Sequence, residues 1–204
     1  VQLTADAVLT LPQEDIRQGK ELLERFHVPQ EKMLIAVSVR KWQDDDSYLL
    51  ELAKAVDALV KRYDAHIVLL PLQYPVDMEA CERLQHFMVR KSSSTILATN
   101  CDTEQFLSLM GNFNLLIGMR LHALIFAAVM ELPFVAVSYD PKIDGFVKDI
   151  DGVSAGNVTN LQEKQILTAV KQALKVSQNS KDLLEKLRVK ALLNSKEAFE
   201  LLKR

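Results

Sequence analysis

Short β-branched, apolar runs alternate along this chain with segments of helical period, and that alternation limits the fold more than any other feature. The runs are Met33 to Val39, Ile67 to Leu72, Ser94 to Thr99, Phe113 to Gly118 and Phe134 to Ser138. Between them lie helical patterns at Ser47 to Tyr63, Met78 to Val89, Asp102 to Met110 and Leu121 to Met130. Leu49, Leu52, Ala53, Val56, Leu59 and Val60 fall on one face of the first helix, as an amphipathic helix on a sheet requires. Asp102 and Gln105 have the spacing of a capping box. Strands joined by single helices form parallel βαβ units with right-handed crossovers. Strands that are apolar throughout need helices on both faces. The expected fold is α/β, a Rossmann-like doubly wound parallel sheet in the order 3-2-1-4-5.

The ends depart from this rhythm. Val1 to Thr10 reads as a stray strand, and Pro12 to Phe26 as a helix with Pro12 in its first turn and Pro29 beyond its end. Residues 1–30 are therefore expected to be the end of a preceding domain and a connector helix. Residues 31–178 would form the Rossmann-like domain, with a helix near Leu161 to Ser177. Residues 179–204 would form a C-terminal helix. The opening Val1-Gln2-Leu3-Thr4 has no initiator methionine, no basic stretch and no apolar core, so the chain reads as a piece of a longer polypeptide without a signal peptide.

With 204 residues, 49% hydrophobic and 25% charged, the chain can build a core without staples. A net charge of −2 argues against nucleic acid as a partner. Cys81 and Cys101 suit a reducing compartment better than a disulfide scaffold. The longest apolar runs, such as Leu121 to Met130, fall short of the roughly 20 residues of a membrane helix.

Ligands of open α/β sheets bind beyond the carboxyl ends of the strands, where the strand order reverses. In the expected order the first and fourth strands are neighbours there, and they lead into Arg40 and Arg120. The segment Gly118-Met119-Arg120-Leu121-His122-Ala123-Leu124 opens a helix that is otherwise apolar on every side. Cations at a helix N-terminus oppose its dipole, and burying them unpaired is costly. An anion bound between Arg40, Arg120 and the helix N-terminus resolves the conflict. The plainer alternative pairs Arg120 with a structural carboxylate and lets His122 cap a backbone carbonyl. The chain has neither the G-x-G-x-x-G nor the P-loop pattern.

Ser38-Val39-Arg40, Gly118-Met119-Arg120-Leu121-His122-Ala123-Leu124 and Val137-Ser138-Tyr139-Asp140-Pro141-Lys142 followed by Gly145-Phe146 resemble the polysaccharide pyruvyltransferases. Within that family the CsaB type, which decorates bacterial secondary cell-wall polysaccharide, is most similar. Thr4-Ala5-Asp6-Ala7 resembles the end of that family's first domain. The resemblance implies the C-terminal half of a GT-B-like two-domain fold whose N-terminal domain lies outside this chain. It implies phosphoenolpyruvate as donor and a polysaccharide or lipid-linked saccharide, N-acetylmannosamine in particular, as acceptor. The product would be a pyruvate ketal of the kind that anchors surface-layer proteins. A cytoplasmic location at the inner membrane face follows from lipid-linked acceptors. No cofactor or metal is expected.

A donor with a phosphate and a carboxylate suits two separated arginines. Arg40, Arg120, Leu121, His122 and Lys142 are the expected binding residues, and His122, Arg120 and Asp6 the expected catalytic ones. An unperturbed imidazole changes charge near working pH, and His122 would protonate the methylene carbon or deprotonate the attacking hydroxyl; the sequence leaves both open. The competing function is the nucleotide-sugar domain of a GT-B glycosyltransferase or a sugar-nucleotide epimerase, and a third is a flavodoxin-like interaction module. Asp44-Asp45-Asp46 reads as a solvated helix start rather than a cation site, and Trp42 as a cleft-edge or sugar-stacking ring. Asp140 and Tyr139 follow the fifth strand and read as lining the site or, nearly as well, as a turn with Pro141.

Overall fold

A computed structural model describes residues 5–175 and 180–202. Six parallel strands form one sheet in the order β3-β2-β1-β4-β5-β6. They are β1 (Leu34–Ser38), β2 (His66–Leu69), β3 (Ser94–Ile96), β4 (Leu115–Gly118), β5 (Phe134–Ser138) and β6 (Val153–Asn157). The helices are α1 (Arg17–Arg25), α2 (Ser47–Tyr63), α3 (Met78–Phe87), α4 (Thr103–Met110), α5 (Leu121–Val129), α6 (Pro141–Asp149), α7 (Glu163–Ala173) and α8 (Ser180–Leu202). This is the Rossmann-like α/β architecture, and the strand order reverses between β1 and β4. Alternate residues of the strands feed two cores, one per face. Leu34, Ala36, Val68 and Leu116 pack with α4, α5 and α8, while Ile35, Val37, Ile67 and Ile117 pack with α2, α3 and α7.

Local signals explain most element boundaries. Asp102 accepts from the Gln105 backbone N–H at 2.8 Å and Gln105 returns the bond at 3.1 Å, closing the capping box of α4. At the foot of β1, Asn114 Oδ1 takes the Leu34 N–H at 2.8 Å. Gly118 lets α5 settle close to β4: a Cβ there would lie 2.9 Å from Leu124 Cδ2. Residues 123–127 of α5 are all buried, as its uniformly apolar composition demands.

Several expectations are corrected. Strands β2 and β3 are shorter than their apolar runs. The turn read at Tyr139 to Lys142 is the start of α6: the Asp140 side chain caps the Lys142 N–H at 2.8 Å, and Pro141 occupies the first helical turn. Strand β6, with Gly156 and an irregular register against β5, lies at the edge and has no apolar run to announce it. From Ala5 onward the stretch read as a stray strand has no strand; Asp6 caps a 3-10 helix at Ala7–Thr10, and residues 1–4 lie outside the described residues. The first long helix starts at Arg17, not Pro12, because the Asp15 carboxylate accepts the Arg17 N–H at 2.9 Å. The extended segment before it is tied to α5 by Gln13 Nε2 donating to the Val129 carbonyl at 3.2 Å.

The expected connector is packed into the body of the domain. Leu9, Leu22 and Leu23 are buried in the same core as Phe106 and Leu124. Arg188 of α8 donates from Nε to the Leu9 carbonyl at 3.2 Å.

Candidate active site at the carboxyl edge of the sheet

Register places the two arginines side by side. Ser38 of β1 is paired with Gly118 of β4, and Arg40 and Arg120 each follow two residues later. The Ser38 carbonyl accepts the Met119 N–H at 2.8 Å, holding the two strand ends together. The sequence expectation that Arg40 and Arg120 share one edge of the sheet is thus met by topology.

Their environments differ. Arg40 is half-buried and its Nη1 donates to the Tyr139 hydroxyl at 2.8 Å. Its guanidinium carbon also lies 5.0 Å from the Tyr139 ring centroid, a cation–π contact. No carboxylate pairs with Arg40 among the described residues, and its Nε is buried without a hydrogen-bond acceptor. The backbone carbonyl of Arg40 accepts the Tyr48 hydroxyl at 2.6 Å. Burial pushes the Tyr48 phenol up to about 12, so it is a permanent donor. Half-buried Trp42 leans on Tyr139 with ring centroids 5.1 Å apart.

Arg120 carries its own counter-ion. Its Nε donates to Asp77 Oδ2 at 3.1 Å, and its Nη2 bonds both Asp77 Oδ1 and, at 3.2 Å, Gln73 Oε1. The arginine side chain is 14% exposed and that of Asp77 only 1%. The expectation of two uncompensated guanidiniums is therefore corrected at Arg120: Asp77, at the N-terminus of α3, already answers its charge. Arg120 is also the N-cap of α5, with extended backbone and no side-chain cap bond at that end.

His122 lies on the first turn of α5 and is exposed, with Nε2 3.7 Å from Asp6 Oδ2. Asp6 meanwhile accepts the Val8 N–H at 3.0 Å, which fixes the carboxylate beside the imidazole. The other expected site residues are spread out. Leu121 is half-buried against the core, and Lys142 is exposed on the first turn of α6. In the acidic run, the Asp45 carboxylate accepts both the Ser47 N–H and hydroxyl at 2.8 Å, and Asp46 pairs with Arg83. Asp45 thus has the expected helix-start role, whereas Asp46 makes no cap bond and links α2 to α3. Among the described residues no group of three His, Cys, Asp or Glu side chains could hold a metal ion. No helix among them is long and apolar enough to cross a membrane.

The model of a family described as polysaccharide pyruvyl transferase matches residues 1–141, the stretch that contains Arg40, Asp77, Arg120, His122 and Asp6. The chain belongs to the polysaccharide pyruvyl transferase family. No curated protein matches its sequence. Solved structures share the fold at low identity. A UDP-GlcNAc 2-epimerase from Methanocaldococcus jannaschii, solved with UDP-GlcNAc and UDP, superposes with a TM-score of 0.68 at 12% identity, over 97% of this chain and 54% of that one. A glycosyltransferase from Rickettsia africae gives 0.63 at 14% identity over 95% and 52%. The ADP-heptose LPS heptosyltransferase II of E. coli gives 0.59 at 13% over 78% and 51%. This pyruvyl transferase family member thus spans about half the length of each of these structures.

Asp77 and Tyr48 are the site residues that sequence reasoning missed. Asp77 lies 43 positions from Arg120; only the adjacency of β2, β1 and β4 brings them together. Its one local signal is position, a carboxylate just before a helical pattern that begins at Met78.

Proposed function

We propose that this chain is the donor-binding half of an enzyme that moves a pyruvyl group from phosphoenolpyruvate onto two hydroxyls of a cell-wall saccharide, N-acetylmannosamine in particular. In that reaction two C–O bonds form at the enol carbon and its bond to the phosphate oxygen breaks. The methylene carbon takes up one proton, inorganic phosphate leaves with the other, and a cyclic ketal remains. The observation that carries the reading, beside family membership, is Arg40: a half-buried guanidinium without an acid partner, whose buried Nε lacks an acceptor, at the edge where α5 begins. A cation in that position is stabilised by an anionic ligand. The uncapped backbone N–H groups of α5 favour the same charge.

Within this reading Arg40 and Arg120 hold the phosphate and carboxylate of the donor, with Leu121 backing the site and Lys142 adding charge at its rim. His122 carries the proton, to the methylene carbon or from a hydroxyl, and Asp6 orients the imidazole and stabilises its protonated form. Residues 1–30 connect to an acceptor-binding domain outside this chain. The acceptor is lipid-linked and met at the inner face of the membrane, and the product serves surface-layer anchoring.

Calorimetry with phosphoenolpyruvate on the full-length protein tests the donor. Arg40→Ala is expected to weaken binding at least about tenfold, the loss of one charge-assisted contact. His122→Ala is expected to keep donor binding and lose most turnover; unchanged turnover would remove His122 from the mechanism. The second reading, a nucleotide-sugar site, is favoured by the fold shared with the UDP-bound epimerase. Binding of UDP with no binding of phosphoenolpyruvate would select it.

A further inference from the structure

We infer that Asp77 is a positioning residue that turns one chosen edge of the Arg120 guanidinium toward the ligand, and that Gln73 occupies that edge until the ligand's anion displaces it. The inference rests on the anion site proposed above. An arginine has five N–H donors arranged in a rigid plane. Asp77 takes the side edge, Nε with Nη2. Gln73 takes the remaining Nη2 direction. Both Nη1 hydrogens stay outside these bonds. The end edge, Nη1 with Nη2, is therefore the fork left for a carboxylate or phosphate, and it becomes complete when Gln73 lets go.

The two acceptors are built for different tasks. Asp77 is 1% exposed and is itself held, since its Oδ2 accepts the Gln73 backbone N–H at 2.9 Å and its carbonyl accepts the Cys81 N–H at 3.1 Å in the first turn of α3. A buried carboxylate fixed this way does not move, and separating it from Arg120 would strand two charges. Gln73 is exposed and makes a neutral bond at 3.2 Å, which an anionic oxygen outcompetes because a charge-assisted bond is stronger. The ion pair that answers the charge of Arg120 also aligns it, and the neutral amide is a removable placeholder.

A double-mutant cycle on the full-length protein tests the assignment, with dissociation constants for phosphoenolpyruvate, inorganic phosphate and UDP measured by calorimetry. In Asp77→Asn the amide oxygen still accepts from the Gln73 N–H and Arg120 Nε, but an NH2 group faces Arg120 Nη2 and the two-point hold is lost. Anion binding is expected to weaken about tenfold or more, while in the Arg120→Lys background the same change costs less than about twofold, because the lysine has no edge to align. Gln73→Ala is expected to bind as tightly as the parent or tighter. Gln73→Glu, which leaves Asp77 intact and so covers the case of an Asp77 variant that does not fold, is expected to weaken binding about tenfold by placing a fixed carboxylate on the ligand's edge. Equal losses for Asp77→Asn in both backgrounds would overturn the positioning role, as would a tenfold loss in Gln73→Ala for the placeholder. If UDP or phosphate obeys the cycle and phosphoenolpyruvate does not bind, the donor reading fails and the assignment of Asp77 stands. If none of the three anions binds, both fail.

Discussion

Replacing Gly19 by alanine tests whether α1 belongs to this domain. Gly19 is buried where α1 crosses α4, and its N–H donates to Ser108 Oγ at 2.8 Å. A Cβ at this position would meet the Ser108 carbonyl group at 2.5 Å and the Leu109 nitrogen at 2.6 Å. Both obstacles are helix backbone, which cannot swing aside as a side chain can. Moving from 2.5 Å to the 3.4 Å at which ordinary contact begins requires the two helices to part by about 0.9 Å. Overpacking of this kind costs about 2 to 3 kcal/mol, and stretching the bond to Ser108 adds about 1 kcal/mol. The better helix propensity of alanine returns about 1 kcal/mol. The net loss is about 2 to 3 kcal/mol, a fall in melting temperature of about 4 to 12 °C for a chain of this size. Gly145 in α6 is the control, because a Cβ there meets nothing within 4 Å; Gly145→Ala should raise stability by about 0.5 to 1 kcal/mol. Thermal and urea melts of both variants give the answer. A Gly19→Ala protein as stable as its parent, alongside a stabilised Gly145→Ala, would mean that α1 does not sit on α4.

Other consequences are open to measurement. Burial, followed by the nearby Lys32 charge, lowers the pKa of His66, whose Nε2 lies 2.9 Å from Thr95 Oγ1. A group depressed in the folded state contributes stability in full above its unfolded value of about 6.5 and loses it as pH falls through the lower folded value. Urea midpoints should therefore drop from about pH 7.5 to about pH 5 more in the parent than in His66→Gln. Burial, followed by the Asp77 and Glu82 charges, pushes the Cys81 thiol up to about 12, so it should resist a thiol reagent at about pH 8 until the chain is unfolded. Tyr48→Phe removes the hydroxyl that holds the Arg40 carbonyl at 2.6 Å. It should cost about 1 kcal/mol in urea melts and weaken phosphoenolpyruvate binding; unchanged affinity would show that this tether does not position Arg40.

Local chemistry alone made much of the molecule legible. The apolar runs identified β1, β4 and β5 because a strand buried on both faces is apolar along nearly all of its length. The pattern from Ser47 to Tyr63 identified α2, and the Asp102–Gln105 pair marked the start of α4. Arg40, Arg120 and His122 were legible as a group because a ligand edge is set by strand ends, and strand ends are local. Strand β6 escaped because an edge strand buries one face and tolerates the polar and glycine residues of Val153–Asn157. Helix α6 escaped because Asp140-Pro141 serves a turn as well as a helix start.

Only the tertiary structure decided which charges meet. Asp77 is unremarkable in the chain, since a carboxylate before a helix is ordinarily a cap, and its partner lies on the far side of β1. Sequence patterns report the periodicity with which each element faces the core. They hold no record of which loop faces which across a sheet edge. That pairing depends on strand order and register, and here it separates two similar arginines: Tyr139 flanks Arg40, which no acid answers among the described residues, while Asp77 fixes Arg120.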